Sequence, residues 1–120
     1  MEVSIEALRM VFPEELLLHF ELTGAIVKKD KRGGDFLEVE FVERNQLPQG
    51  YSVTDYETKD FVERRIQDFP LRGKPVYLVV KRRRWRHKES GETLIGSYTF
   101  VQEGTRLTQE LAAFLKELGR

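Results

Sequence analysis

Hydrophobic residues recur at spacings of three and four along the first part of the chain, which is the spacing of one helical face. The positions on this stripe are Ile5, Leu8, Phe12, Leu16 and Phe20. Pro13 interrupts the stripe, and proline is tolerated best at the start of a helix, where Glu14 and Glu15 would follow in a first turn that favours anions. The pattern therefore predicts two short helices, or one kinked helix, up to Phe20.

Alternation of apolar and polar residues replaces this spacing in the next segment. Residues 25–27 and 36–42 predict two strands, and the Gly33-Gly34 pair between them signals a hairpin turn. Successive side chains of a strand point to opposite faces of the sheet. We expect Leu37, Val39 and Phe41 to face the core. We expect Glu38, Glu40 and Glu43 to face solvent.

The middle of the chain lacks a sustained period. Residues 45–60 are polar and predict a long surface connection, after which a strand is expected near residues 61–66. A turn is predicted over residues 68–75, which hold two prolines and a glycine.

A second hairpin and a helix are predicted for the remainder. The hairpin would pair residues 76–86 with residues 94–101 across a turn at residues 88–92. Thr105 would cap the helix and Gly119 would end it. The apolar face of this helix would consist of Leu107, Leu111, Phe114, Leu115 and Leu118.

Helices, then strands, then a helix predict an α+β fold. We expect an antiparallel sheet of about five strands in two hairpins, with N-terminal helical segments and a C-terminal helix. Residues 1–103 would form a single α+β domain. Residues 104–120 would form the C-terminal helix, either packed on this domain or leading to a downstream region.

Composition excludes several classes of protein. A chain of 120 residues supports one core, and the absence of cysteine excludes disulfides and thiolate metal sites. No apolar run approaches the ~20 residues of a membrane span, and no signal peptide is recognisable, so we expect a cytoplasmic protein. The acid pairs Asp30/Asp35 and Asp55/Asp60 have the character of solvated turn residues, and no nucleophile constellation is present. We therefore expect a protein that is not an enzyme and that needs no cofactor or metal.

Charge is divided unevenly along the chain, although the net formal charge is zero. Residues 64–88 hold ten Lys and Arg against one acid, a formal charge of +9, and the rest of the chain carries −9. Because electrostatic interactions between exposed charges are screened beyond about 8–10 Å, one face can act on a partner without cancelling against the other.

The run KRRRWRHK, Lys81 to Lys88, continues directly from the apolar strand at residues 76–80. Both strand faces change from apolar to basic near residue 81, so the strand could leave the core and project as a basic ribbon. Such a ribbon could contact phosphates or a groove, with Trp85 as a stacking residue. Two other interpretations remain open: a charged edge strand with Trp85 packed beneath arginine stems, and a docking site for an acidic protein.

Two segments carry a resemblance to a known family. Residues 65–85, RIQDFPLRGKPVYLVVKRRRW, followed by residues 104–111, GTRLTQEL, resemble the N-terminal region of bacterial insertion-sequence transposases. The likeness is to the group in which a zinc-binding module precedes a helix-turn-helix and a DDE catalytic domain, and within it to the Bacteroidetes-type transposase N-region proteins. Residues 16–43 also look like those proteins, so the resemblance covers most of the chain.

The chain lacks three features of that family: the cysteines, a second helix for a helix-turn-helix, and the catalytic acids. Related modules place cysteines before the first strand of this unit and after the basic run, where this chain has Arg86-His87. A helix-turn-helix needs a second, groove-reading helix, and only one helix is predicted after residue 104. The catalytic acids of the family cannot be mapped to any position here.

The resemblance implies a non-catalytic N-terminal or accessory DNA-binding domain of an insertion-sequence transposase, acting in DNA transposition and recombination. Its partners would be duplex DNA, such as the terminal repeats of the element, and a transposase catalytic domain. The alternative is a protein-interaction module that docks its basic strand on an acidic partner or on another copy. The oligomeric state is left open. The predicted DNA contacts are Arg72, Lys74, Lys81, Arg82, Arg83, Arg84, Trp85, Arg86 and Lys88.

Overall fold

The computed structural model describes residues 3–96, residue 98 and residues 108–118. Three helices and five strands lie in this part of the chain. In chain order they are α1 (Ile5–Arg9), α2 (Glu14–His19), β1 (Phe20–Lys29), β2 (Asp35–Glu43), β3 (Tyr56–Leu71), β4 (Lys74–His87), β5 (Thr93–Ile95) and α3 (Gln109–Leu118). The predicted α+β class with a five-stranded sheet is confirmed.

The two N-terminal helices form where the sequence predicts them. The Ser4 hydroxyl accepts a hydrogen bond from the amide of Ala7 at 3.4 Å, which satisfies one free donor at the start of α1. Pro13 directly precedes α2 and separates it from α1. Leu8 and Leu16, one from each helix, are buried against the sheet. The prediction of two short helices is confirmed.

The strand order is β1-β2-β4-β3, and β5 pairs with β4 beyond the end of β2. Three of the neighbouring pairs are antiparallel, but β2 and β4 are parallel, with Leu37 opposite Val76 and Val42 opposite Lys81. The expected purely antiparallel sheet is therefore mixed. Hairpins join strands that are consecutive in sequence, whereas the contact between two hairpins is decided by how their apolar faces pack together.

The core lies on one face of this sheet, where the helices cover it. Val39 and Phe41 of β2 are fully buried, as predicted, beside Leu78 and Val80 of β4. The helices complete the core with buried side chains that include Leu16, Leu111, Phe114 and Leu115.

Glu43 is a correction to the predicted alternation. It lies two residues after the buried Phe41, so it points to the same face, and only 2% of its surface is exposed. The expectation that Glu43 faces water is therefore wrong.

Several element boundaries differ from the predictions. β3 already begins at Tyr56 and runs to Leu71, so the connection after β2 is shorter than expected. β5 ends at Ile95, and of the remaining residues predicted to be in this strand only Gly96 and Tyr98 lie within the described part of the chain.

The C-terminal helix begins later than the sequence suggested. The Thr108 hydroxyl accepts a hydrogen bond from the amide of Leu111 at 3.1 Å, which is a capping interaction at the start of α3. The predicted cap Thr105, the apolar residue Leu107 and the stop Gly119 lie outside the described residues. Among the described helices, none has the length and hydrophobicity needed to span a membrane.

Candidate nucleic-acid interface

The strand that carries the basic run lies inside the sheet. β3 pairs with β4 along one side from Tyr56↔His87 to Leu71↔Lys74, and β2 and then β5 pair with the other side. A projecting basic ribbon is therefore not formed by residues 81–87. β4 stays in the sheet because neighbouring strands satisfy its backbone groups and supply carboxylates for its cations.

Five predicted contact residues form ion pairs with neighbouring strands, and three of them, Lys81, Arg84 and Arg86, are the partly exposed or exposed ones within the basic run. Arg84 makes a two-pronged pair with Asp60, with Nε–Oδ1 and Nη2–Oδ2 distances of 2.6 and 2.5 Å. The hydrogen bond from Arg84 lowers the pKa of the Asp60 carboxyl.

The other two pairs involve Arg86 and Lys81. Arg86 donates to Glu57 at 2.8 Å. Lys81 lies 3.1 Å from Glu40 on β2 and 3.8 Å from Glu63 on β3, and its hydrogen bond to Glu40 raises the pKa of the Lys81 ammonium. The basic segment thus binds acidic residues of its own chain.

Arg82 is fully buried, so the structure corrects its assignment as a DNA contact. Its guanidinium donates to the carbonyl oxygens of Leu115, at 2.7 Å, and of Gly96. It also lies over the Tyr98 ring, 4.9 Å from the centroid. Arg82 therefore connects the middle of the sheet to α3 and to the chain after β5.

The partner of this buried cation is Glu43. Arg82 Nε lies 3.7 Å from Glu43 Oε1, and the same carboxylate accepts hydrogen bonds from the Arg83 amide and the Tyr98 hydroxyl. Burial nevertheless raises the pKa of Glu43 to about 7, because loss of water disfavours the charged form more than these neighbours favour it.

Trp85 is a core residue on the opposite side of the sheet, with 1% of its surface exposed. Its indole Nε1 donates to Asn45 Oδ1 at 3.0 Å, so the one polar atom of the ring is satisfied. Arg83, its neighbour, donates to Thr58 and to the Glu43 carbonyl and lies 4.6 Å from the centre of the Phe61 ring. The structure therefore corrects the stacking role of Trp85, because no ring face is open to a base.

The remaining three of the nine predicted contacts are exposed at the two ends of β4. Lys88 lies in the turn after β4, where its amide donates to the Asp55 carbonyl. Arg72 and Lys74 lie at the other end of β4, at the turn from β3. The two ends are about 40 Å apart, since a strand rises about 3.3 Å per residue.

The parallel pairing of β2 with β4 brings two hairpin tips together at the Arg72 end. Asp35, the first residue of β2, lies 3.5 Å from Lys29 Nζ of β1 and 3.6 Å from Lys74 Nζ of β4. The β1–β2 turn adds the exposed Lys31 and Arg32. We call this cluster the hairpin-tip surface; it consists of Lys29, Lys31, Arg32, Arg72 and Lys74.

Turn chemistry shapes both tips. The Asp30 carboxylate accepts hydrogen bonds from the amides of Arg32 and Gly34, which occupies it within the β1–β2 turn. In the β3–β4 turn, Arg72 and Gly73 have φ values of 50° and 80°, as in a two-residue turn with both central residues left-handed. Within the described residues, no ion pair involves Lys31, Arg32 or Arg72.

The two ends of the sheet differ in charge. The hairpin-tip end, residues 29–35 and 72–74, carries five cations and two carboxylates. The opposite end, residues 55–59 and 86–92, carries three cations and four carboxylates. A basic surface is therefore present, but it lies at the end of β4 opposite to the KRRRWRHK run at residues 81–88.

Sequence reasoning missed three residues of this surface. Lys29, Lys31 and Arg32 are visible in the sequence as KKDKR at residues 28–32, but they were interpreted only as part of a hairpin. Their density of positive charge was the available signal. Their proximity to Lys74 could not be seen, because it depends on the parallel contact between β2 and β4.

In the described part of the chain, no group of three or more histidine or acidic side chains is arranged to hold a metal ion. Comparison with known proteins adds no assignment: no protein-family model, no curated protein and no solved structure matches the chain.

Proposed function

We propose that this chain is a non-catalytic DNA-binding accessory or N-terminal domain of an insertion-sequence transposase, and that it contacts DNA through the hairpin-tip surface. It would hold the terminal DNA of the element in the cytoplasm, while a separate or fused metal-dependent domain carries out strand transfer. The assignment to transposition rests on the resemblance of residues 65–85 and 104–111 to transposase N-terminal regions.

The observation that carries the DNA contact is the clustering of cations from two hairpins around one carboxylate. Lys29 and Lys74 share Asp35, so both ammonium groups are held close together, with exposed side-chain fractions of 74% and 65%. Asp35 neutralises only one of them. Duplex DNA presents closely spaced phosphates, and exposed lysine and arginine side chains bind these phosphates while releasing condensed counterions.

The cations of β4 beyond residue 80 contribute little to this contact in the proposal. Their carboxylate partners already hold Arg84 and Arg86, and a phosphate would have to displace those partners. Arg32 and Arg72 have no such competitor within the described residues and can orient toward a ligand at low cost.

The test is fluorescence anisotropy with labelled duplexes, comparing the terminal repeat of the element with a scrambled sequence at about 50 and 200 mM salt. Five phosphate contacts predict a slope of about −4.5 for log affinity against log salt concentration. The double variant Arg32→Ala/Arg72→Ala should weaken binding at about 50 mM salt and make the slope less negative by about 1.8.

The matched control is Arg86→Ala/Lys88→Ala, which removes two exposed cations from the opposite end of the sheet. It should leave both affinity and salt slope close to those of the unmodified protein. A larger loss in this control than in the hairpin-tip variant would move the interface to the β4–β5 turn. Absence of duplex binding at low salt would refute the DNA proposal as a whole.

A further inference from the structure

We infer that the hairpin-tip surface does more than hold phosphates: the apolar segment Phe69-Pro70-Leu71 acts as a wedge that enters the duplex at a base step and bends it. This inference rests on the proposed DNA-binding function and specifies how the duplex is engaged. The partner is a deformable duplex, because a stiff one resists the opening of a step.

The wedge is unusually apolar for an exposed strand end. Phe69 is 74% exposed and Leu71 is 51% exposed, and Pro70 between them is exposed as well. Three consecutive apolar residues in water are unfavourable unless a partner covers them. Within the described residues, none of the three belongs to the hydrophobic core or to the partly buried side chains packed against it, and Phe69 only lines an open cleft beside Thr108 and Glu110.

The backbone around the wedge departs from the regular ladder. The register between β3 and β4 shifts between Asp68 and Leu71, which places a bulge at Phe69 and Pro70. Bulges redirect side chains, and Pro70 has no amide hydrogen to contribute to the sheet. The Asp68 carboxylate accepts the Phe69 amide at 2.7 Å, which helps hold the displaced segment.

Cations lie beside the wedge at the turn end of the hairpin, while Asp68 and Glu110 lie beside Phe69 on its other side. Arg72 follows Leu71 directly in the turn, and Lys74 lies opposite Leu71 across the ladder. The β1–β2 tip contributes Lys29 beside Lys74 through their shared Asp35. An apolar tip beside phosphate-binding cations is the arrangement by which minor-groove proteins insert Phe, Leu or Pro between base pairs and kink the duplex.

The same features argue less well for a protein partner. At the apolar centre of a protein-binding patch charged residues are depleted, and lysine is depleted across such interfaces. Here Arg72 and Lys74 are immediate neighbours of the apolar residues. The positive charge complements a polyanion, and the narrow three-residue tip fits a base step better than a broad protein surface.

The experiment measures DNA bending directly. A duplex of about 18 base pairs, about 60 Å long, labelled at both ends and with a flexible TA step at its centre, should show higher end-to-end energy transfer on binding, corresponding to a bend of about 60° or more. The variant Phe69→Ala/Leu71→Ala should still bind this duplex through the cations but lose most of the bend. It should also lose the preference for the TA duplex over one with a stiff A-tract at its centre.

The control variant is Val53→Ala, which removes an apolar side chain of equal exposure, 74%, in the loop before β3. It should bend DNA as the unmodified protein does. Because the wedge residues are exposed, the double variant should keep the urea midpoint of the unmodified protein, which shows that it is folded.

The outcomes separate the wedge from the underlying function. Binding without a change in energy transfer, or bending retained in the double variant, would overturn the wedge while leaving DNA binding intact. Failure of the unmodified protein to bind any duplex would overturn both. Self-association in the absence of DNA that is lost in the double variant would overturn the wedge in favour of a contact between copies.

Discussion

At the scale of single residues, Glu43 has the largest consequence for stability, because it was expected to face solvent and is buried. Its carboxyl group lies between Arg82, the Arg83 amide and Tyr98, in a position that is almost completely buried. Burial disfavours the charged form of this carboxyl, and the Arg83 amide and the Arg82 guanidinium offset only part of that cost. The folded state therefore depends on the protonation of this one carboxyl.

The predicted consequence is a pH-dependent stability with an unusual sign. The folded-state pKa of Glu43 is about 7, above its ordinary value of 4.5, so the folded protein holds this proton more tightly than the unfolded chain. The stabilisation is fully present below pH 4.5 and is lost as pH rises through about 7. The loss in unfolding free energy should be on the order of 3 kcal/mol, and urea unfolding at a series of pH values measures it.

Glu43→Gln should remove most of this dependence, because an amide cannot ionise. Glu40→Gln is a suitable control, since the Thr23 hydrogen bond lowers the pKa of Glu40 and its contribution is lost toward acid instead. A stability profile of Glu43→Gln that still falls between pH 5 and 8 would show that another group is responsible.

At the scale of elements, the β3–β4 hairpin carries an arginine at a turn position that disfavours it. Arg72 occupies the left-handed region at a position where asparagine or glycine is preferred. A guanidinium at this point is exposed at the end of the hairpin, next to Gly73 with φ 80°. The turn thus gives up stability for a charge at the extremity of the sheet.

Arg72→Asn separates these two effects. Asparagine tolerates the left-handed region, so the substitution should raise the free energy of unfolding by about 1 kcal/mol. It should at the same time weaken duplex binding, because one phosphate contact is removed. Urea unfolding and anisotropy on the same sample test both parts, and a variant that is more stable but binds DNA equally well would remove Arg72 from the interface.

At the scale of the whole molecule, the charge division of the sequence is resolved inside one chain. The acidic residues that pair with the basic segment come from β2 and β3, through Glu40, Asp60 and Glu57. What remains is a moderate difference in charge between the two ends of the sheet, in a molecule whose longest dimension is 51 Å. Most of the opposite charges that could have joined two copies head to tail are instead paired within one chain.

We therefore expect the particle mass from light scattering to be the same at about 50 and 500 mM salt in the absence of DNA, because few unpaired opposite charges remain to be screened. A mass that rises at low salt would indicate association through charge. In that case the protein-interaction alternative would gain support.

Local patterns in the sequence correctly indicated much of the fold. Helical spacing with Pro13 identified α1 and α2, and the two glycines marked the β1–β2 turn. Both depend on interactions within a few residues. The burial of Glu43 was also accessible from strict alternation with Val39 and Phe41, but its charge suggested solvent.

The sequence by itself determined the elements, the α+β class and the presence of a strongly basic segment, because periodicity, turn residues and charge are properties of neighbouring positions. Only the tertiary structure decided that β4 lies inside the sheet, that Arg82 and Trp85 are buried, and that Lys29 and Arg32 join Arg72 at one end. Those facts arise from pairing between segments far apart in the chain. The energy of a charged side chain depends on which partner folding brings to it, so a basic run reveals how much charge is present but not where that charge remains free.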